Sequence, residues 1–175
     1  MHRSISESLY PTVPFASAGP PERSRASVVT RMVFDGTPAQ AWKTLMFYEQ
    51  LDRRPPLYLR LLLPVPLGTT GSKSKVGDEA HCSYRGGHLI KRVTRVEDLR
   101  AYGFQVVKQE LSFGGGMRLS GGEYSLRELA PGRTEVAAVT NYESPRRPRW
   151  LWRPIETAVC HLFHQHILRA MRRSI

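Results

Sequence analysis

Acid is scarce in this chain, and cysteine scarcer. Asp and Glu together number 15 against 26 Lys and Arg, for a formal charge of +11. That excess suits phosphates, whether of nucleic acid or of an anionic lipid surface. No helix-turn-helix, RNA-binding aromatic signature or Cys/His finger accompanies it, so no specific nucleic-acid partner is expected. The two cysteines, Cys82 and Cys160, give no disulfide framework and suit a reducing, cytoplasmic setting. No apolar run approaches the roughly 20 residues that cross a bilayer. The richest, RPPLYLRLLLPVPLG at 54–68, is interrupted by Arg60, Pro64 and Pro66. Residues 1–26 lack the apolar stretch of a signal peptide, and their PTVPFASAGPPERS composition reads as a mobile arm. Residues 27–175 are then enough for a single domain with one core.

Familiar catalytic signatures are missing too. There is no GxSxG elbow and no Cys/His nucleophile pair, and Gly114-Gly115-Gly116 joins two strands rather than opening a helix, so it cradles no phosphate. CHLFHQH sets Cys160 and His164 at i, i+4 with His161 beside them. Helical phase assigns His161 and His164 to the polar side and Cys160 to the apolar side, and no second ligand pair occurs elsewhere. Neither a metal nor a cofactor is expected.

What is present is a sequence of regular elements. SVVTRMVF (27–34) alternates as a strand, and Thr37-Pro38 caps and opens the helix AQAWKTLMFYEQL. DEAHCSY, HLIKRVTRVE, AYGFQVVKQEL, GEYSLREL and RTEVAAVTNYE follow, separated by turn signals such as Gly86-Gly87 and Pro131-Gly132, and read as an antiparallel meander. PIETAVCHLFHQHILRAMRR then reads as a helix of about 20 residues and about 30 Å beginning at Pro154. Its apolar members Ile155, Val159, Leu162, Phe163, Ile167, Ala170 and Met171 span nearly half the circumference, with Leu162 and Phe163 near the middle. A helix so broad in its apolar face needs cover on more than one side, and a curved sheet wrapped around it supplies that cover.

FDGTPAQAWKTL, YRGGHLIKRVTRVED, GGEYSL with the later GRTEVAAVTNY, and RPRWLWRPIETAVCHLFHQHILRAM together resemble the SRPBCC superfamily over about residues 28–171. This group comprises START-like, birch-pollen-allergen-like helix-grip proteins and includes polyketide cyclase/dehydrase-like and lipid-transfer members. The resemblance implies an α+β fold, a curved antiparallel sheet around a long C-terminal helix. It also implies a deep apolar cavity between them, with its mouth beside the loops and short helix of residues 47–68. Strand parity directs Cys82, Tyr84, Ile90, Phe104, Val106, Tyr124, Leu126, Val136, Ala138, Thr140 and Tyr142 toward that cavity, with Val159, Phe163 and His166 facing them from the helix. Leu57, Leu61 and Leu62 belong to a lid over the mouth or plug it, with Arg60 held outward. The hydroxyls of Tyr124 and Tyr142, if buried, need a ligand or water as partner.

Glu156 and His166 lie awkwardly within or beside the apolar arc and need partners, for which His88 and Arg92 are the candidates. A buried ion pair bracing helix on sheet is the first reading, and an acid/base set of His88, Arg92 and Glu156 for cyclisation or dehydration is the second. The function expected is carriage of a hydrophobic or amphipathic, lipid- or polyketide-like small molecule, with a cyclase/dehydrase as the alternative. Residues 145–175 hold seven arginines against the single acid Glu156, which adds peripheral contact with an anionic membrane as a third option.

Overall fold

The computed structural model describes residues 24–47, 57, 60, 63, 64, 66–111 and 115–175. The arm expected over residues 1–26 therefore falls outside the described residues except for Ser24–Ala26, which are strand. The Leu-rich 47–68 stretch is described only in part. The chain runs β1 (Ser24–Asp35), α1 (Pro38–Phe47), β2 (Pro66–Gly71), β3 (Glu79–Tyr84), β4 (Gly87–Glu97), β5 (Ala101–Glu110), β6 (Arg118–Ala130), β7 (Arg133–Ser144) and α2 (Arg149–Arg172). The seven strands form one sheet in the order β1-β7-β6-β5-β4-β3-β2, and every neighbouring pair is antiparallel.

Cross-strand register sorts the side chains onto two faces, because partners across an antiparallel ladder point the same way. Two rows cross the inner face. One runs Thr30, Ala138, Tyr124, Tyr102 and Val96, and the other Val28, Thr140, Gly122, Phe104 and Val93. Phe34, Leu45, Val93, Tyr102, Tyr124, Leu126, Val136, Ala138, Ile167, Leu168 and Met171 are among the residues of the main core, which joins the sheet to both helices. Gly122 is required by a neighbour. A Cβ built there would lie 2.6 Å from the Val139 carbonyl oxygen and 2.9 Å from Phe104 Cζ, so the bare backbone makes room for the Phe104 ring.

Helix α1 begins as its sequence indicates. Thr37 Oγ1 accepts from the Gln40 amide at 3.3 Å, and Gln40 Oε1 accepts from the Thr37 amide at 2.9 Å, a reciprocal cap ahead of Pro38. Helix α2 starts five residues earlier than expected. Pro154 stands inside it, where its missing N–H leaves the Trp150 carbonyl without the usual donor. The preceding turn is held by the side chains of the basic segment: Trp152 Nε1 donates to the Arg147 carbonyl at 3.1 Å, and the Arg146 guanidinium lies 4.0 Å from the Trp152 ring centroid.

The strand β2 was not anticipated, since PLGTTG carries almost no apolar alternation. It pairs with β3 at the far edge of the sheet. Leu57 and Arg60 are helical and both exposed, Leu57 at 68%. At i, i+3 they share one face, and here it is the solvent face. Arg60 thus points outward as expected, whereas Leu57 neither plugs the sheet nor lines an enclosed cavity. Leu61 and Leu62 lie outside the described residues.

Candidate functional site

Helix α2 packs on β1, β7 and α1, and five polar contacts to the sheet fix its rotation. His161 Nδ1 meets Thr30 Oγ1 of β1 at 2.7 Å. His164 bridges β1 and β7, its Nδ1 at 2.9 Å from Thr30 Oγ1 and its Nε2 at 2.7 Å from Thr140 Oγ1. Glu156 reaches β7, accepting from Ser144 Oγ at 2.6 Å and Tyr142 Oη at 3.2 Å. Arg149 completes that cluster, 3.0 Å from Glu156 Oε2.

This overturns the expected helical phase. His164 is buried, at 2% exposure, instead of lying on a polar side, while Leu162 and Phe163 are each 38% exposed. The physical reason lies in the sheet. Its inner face under α2 carries Thr30, Thr140 and Ser144, which satisfy an imidazole and a carboxylate better than they would satisfy Leu or Phe.

The charges respond accordingly. Burial raises the Glu156 carboxyl, but donation from Arg149 and Ser144 and the Arg149 charge outweigh it, so the group lies below the usual carboxylate range. Burial, with the Glu156 charge beside it, pushes the Tyr142 phenol up, and pushes the Cys160 thiol up to about 11. Burial, aided by His161, drives His164 down to about 4. Cys160 is consequently an inert thiol against Val28, Met117 and Tyr142, and His164 is neutral at physiological pH.

The expected partners of Glu156 are elsewhere. His88 and Arg92 belong to the outer face of β4. Arg92 Nη2 pairs with Glu79 at 2.8 Å, and His88 Nε2 lies 3.4 Å from Glu110. Ile90 shares their parity, opposite His81 and Lys108 across the ladders, so it too faces away from α2. The inner positions of β4 are Leu89, Lys91, Val93 and Val96. Lys91 is the polar residue that strand reasoning missed, and its ammonium stands 4.9 Å from the Phe104 ring centroid. The signal was available: Leu89, Lys91 and Val93 put more apolar side chains on one parity than His88, Ile90, Arg92 and Thr94 do on the other. The set His88, Arg92 and Glu156 is thus split between two faces and forms no acid/base site.

Of the remaining expected cavity residues, Leu126, Val136, Ala138 and Tyr142 are core. The Tyr142 hydroxyl finds its partner in Glu156, and Thr140 finds His164. Tyr124 is core as well, with Phe104 packed against it and the Tyr102 and Phe104 ring centroids 6.4 Å apart, whereas Cys82, Tyr84 and Val106 lie on the inner face further along. Turning around α2 from His161 over β1, through His164, to Glu156 over β7, the next side chains are Phe163, Val159, Ala170 and His166. They face the space in front of β6 to β3. His166 is lowered by its partial burial. These two walls are the candidate site. Two surface depressions, of about 570 and 470 Å3, share only Leu126 and Tyr142 with the expected cavity set and lie at one end and on the outer face of the sheet. Among the described residues, no group of three or more His, Cys, Asp or Glu is placed to hold a metal.

No protein-family profile matches the chain, and no curated protein matches it by sequence. Solved structures do match. The Zhui aromatase/cyclase from Streptomyces sp. R1128 superimposes with a TM-score of 0.58 at 10% identity, over 86% of this chain and 94% of its own. Ara h 8.0201 gives 0.56 at 11% identity over 85% and 96%. A protein from Arthrobacter aurescens gives 0.59 at 15% identity over 84% and 86%. What the chain shares with these structures is an architecture, the helix-grip fold, in which a curved antiparallel sheet grips a long C-terminal helix.

Proposed function

We propose that the protein binds a hydrophobic or amphipathic small molecule, lipid- or polyketide-like, between the inner face of β3–β6 and the Val159, Phe163 and His166 side of α2. One observation carries this reading. Helix α2 takes its packing from β1, β7 and α1, while Cys82, Leu89 and Val106 carry the apolar inner face on past the core that holds Val93 and Phe104. A partly exposed Phe163 on the facing side of the helix costs apolar exposure that a ligand would relieve. The fold shared with an aromatase/cyclase supports a small-molecule site without specifying its contents.

A cyclase or dehydrase reading has lost its acid/base set, because His88 and Arg92 sit on the outer face and Glu156 is engaged by Arg149, Ser144 and Tyr142. Binding without chemistry is therefore the reading adopted.

The test is saturable binding of an environment-sensitive apolar dye and its displacement by fatty acids and by polycyclic aromatics, in the wild type, Val106→Arg and Phe163→Asp. We expect binding in the wild type and loss of at least tenfold in affinity in both variants, with folding retained. A wild type that binds no apolar probe, or variants that bind as well as it does, would overturn the reading.

A further inference from the structure

The first two turns of α2, with the side of the helix turned away from the sheet, form a surface that the packing does not use. Trp150 is 78% exposed, and Leu151, Ile155 and Leu162 are exposed with it. Leu151, Ile155 and Leu162 recur at helical spacing on the side opposite the Glu156, Cys160 and His164 side that meets the sheet. Arg169 and Arg173, both exposed, continue that line to the end of the helix. The only acid of residues 145–175 is Glu156, buried and held by Arg149. The surface is thus apolar from the helix start to its middle, arginine-bearing at its C-terminal end, and without an exposed acid from residues 145–175.

We infer that this face of α2 docks on an anionic lipid bilayer, with Leu151, Ile155 and Leu162 at the headgroup–acyl boundary, exposed Trp150 of the first turn at the edge of the contact, and the arginines on the lipid phosphates. Charge complementarity chooses the occupant. A second copy of the chain would bring arginine against arginine with no carboxylate between them, which is repulsive. A nucleic acid would satisfy the arginines but would offer the aliphatic Leu151, Ile155 and Leu162 nothing apolar to enter. An anionic membrane satisfies both, since indole and aliphatic side chains gain by leaving water and each arginine gains near the lipid charge. This docking shares no residue with the small-molecule site, whose Val159, Phe163 and His166 occupy the adjoining side of the helix.

Co-sedimentation with vesicles of phosphatidylcholine, alone or mixed with phosphatidylglycerol, at low and high salt, tests it. The protein should partition to the mixed vesicles at low salt, leave them at high salt, and ignore pure phosphatidylcholine. Arg169→Gln with Arg173→Gln should weaken partition by roughly fivefold per arginine. Trp150→Ala with Leu151→Ala should weaken it tenfold or more while circular dichroism and melting stay unchanged. If that pair disturbs folding, Ile155→Asp and Leu162→Asp, one turn or more from the helix start, carry the same expectation. Failure to partition, or equal partition to both vesicle types, overturns the proposal. So does a concentration-dependent dimer that the Trp150/Leu151 variant abolishes in the absence of vesicles, which would assign the face to a second copy. Binding to single-stranded DNA that is indifferent to Trp150 and Leu151, without vesicle binding, would overturn it as well.

Discussion

Glu156 can be removed in shape-preserving form, and the outcome is specific. Gln at this position keeps the contact with Ser144 but leaves the Arg149 guanidinium, only 17% exposed, without its counter-charge. We expect Glu156→Gln to cost about 3 kcal/mol, the lower end of the range for breaking a buried pair, read as the shift in urea midpoint at constant m-value. Apolar dye binding should survive, because the pair braces helix on sheet and does not face the site.

His164 gives a second residue-level expectation, in pH. Its ordinary value is about 6.5 and its folded value about 4. A group lowered by folding contributes stability that is complete above the unfolded value and is lost as pH falls through the folded one. Unfolding free energy should therefore decline between about pH 6.5 and 4, by on the order of 3 kcal/mol if this group acts alone. His164→Gln should flatten that window, leaving the loss at still lower pH where Glu156 becomes protonated. A variant with the wild-type slope between pH 6.5 and 4 would show that other groups govern it.

Among the elements, α2 separates what periodicity reveals from what it conceals. Strands β1 and β3 to β7 were legible because alternation and turn residues agree. The capped start of α1 was legible because Thr37 and Pro38 act locally. The rotation of α2 was not legible, because the helix is apolar on two sides and the choice between them is made by Thr30, Thr140 and Ser144 on other elements. Its start was hidden by Pro154, which reads as a first-turn proline. On β4 the wrong parity was favoured by the charge of Arg92, although Leu89 and Val93 marked the other. The consequence is measurable. Phe163→Ala, at a half-exposed position, should cost about 1 kcal/mol or less, while Leu168→Ala, fully buried in the core, should cost about 2–5 kcal/mol. Equal losses at the two would return Phe163 to the core. On the sheet, Gly122→Ala should destabilise by about 1–3 kcal/mol and shift the Phe104 ring, since the new Cβ would meet the Val139 carbonyl oxygen and Phe104 Cζ.

At the scale of the molecule, the sheet order has a consequence in time. Strand β1, the first to be made, pairs along its whole length with β7, from Ser24 opposite Ser144 to Asp35 opposite Arg133. The meander β3–β6 can zip from its own hairpins as it leaves the ribosome. The first strand cannot, and it stays an unmatched edge until β7 has been synthesised. Helix α2, which locks β1 to β7 through Thr30 and Thr140, arrives last. Closure of the sheet is thereby tied to the synthesis of β7 and α2. A chain stalled or truncated before Arg133 leaves SVVTRMVF, a β-branched strand, without its mate and open to pairing with other chains. Emergence of β7 from the ribosome is then the step after which the native sheet can close, on the milliseconds-to-seconds scale of domains dominated by distant contacts.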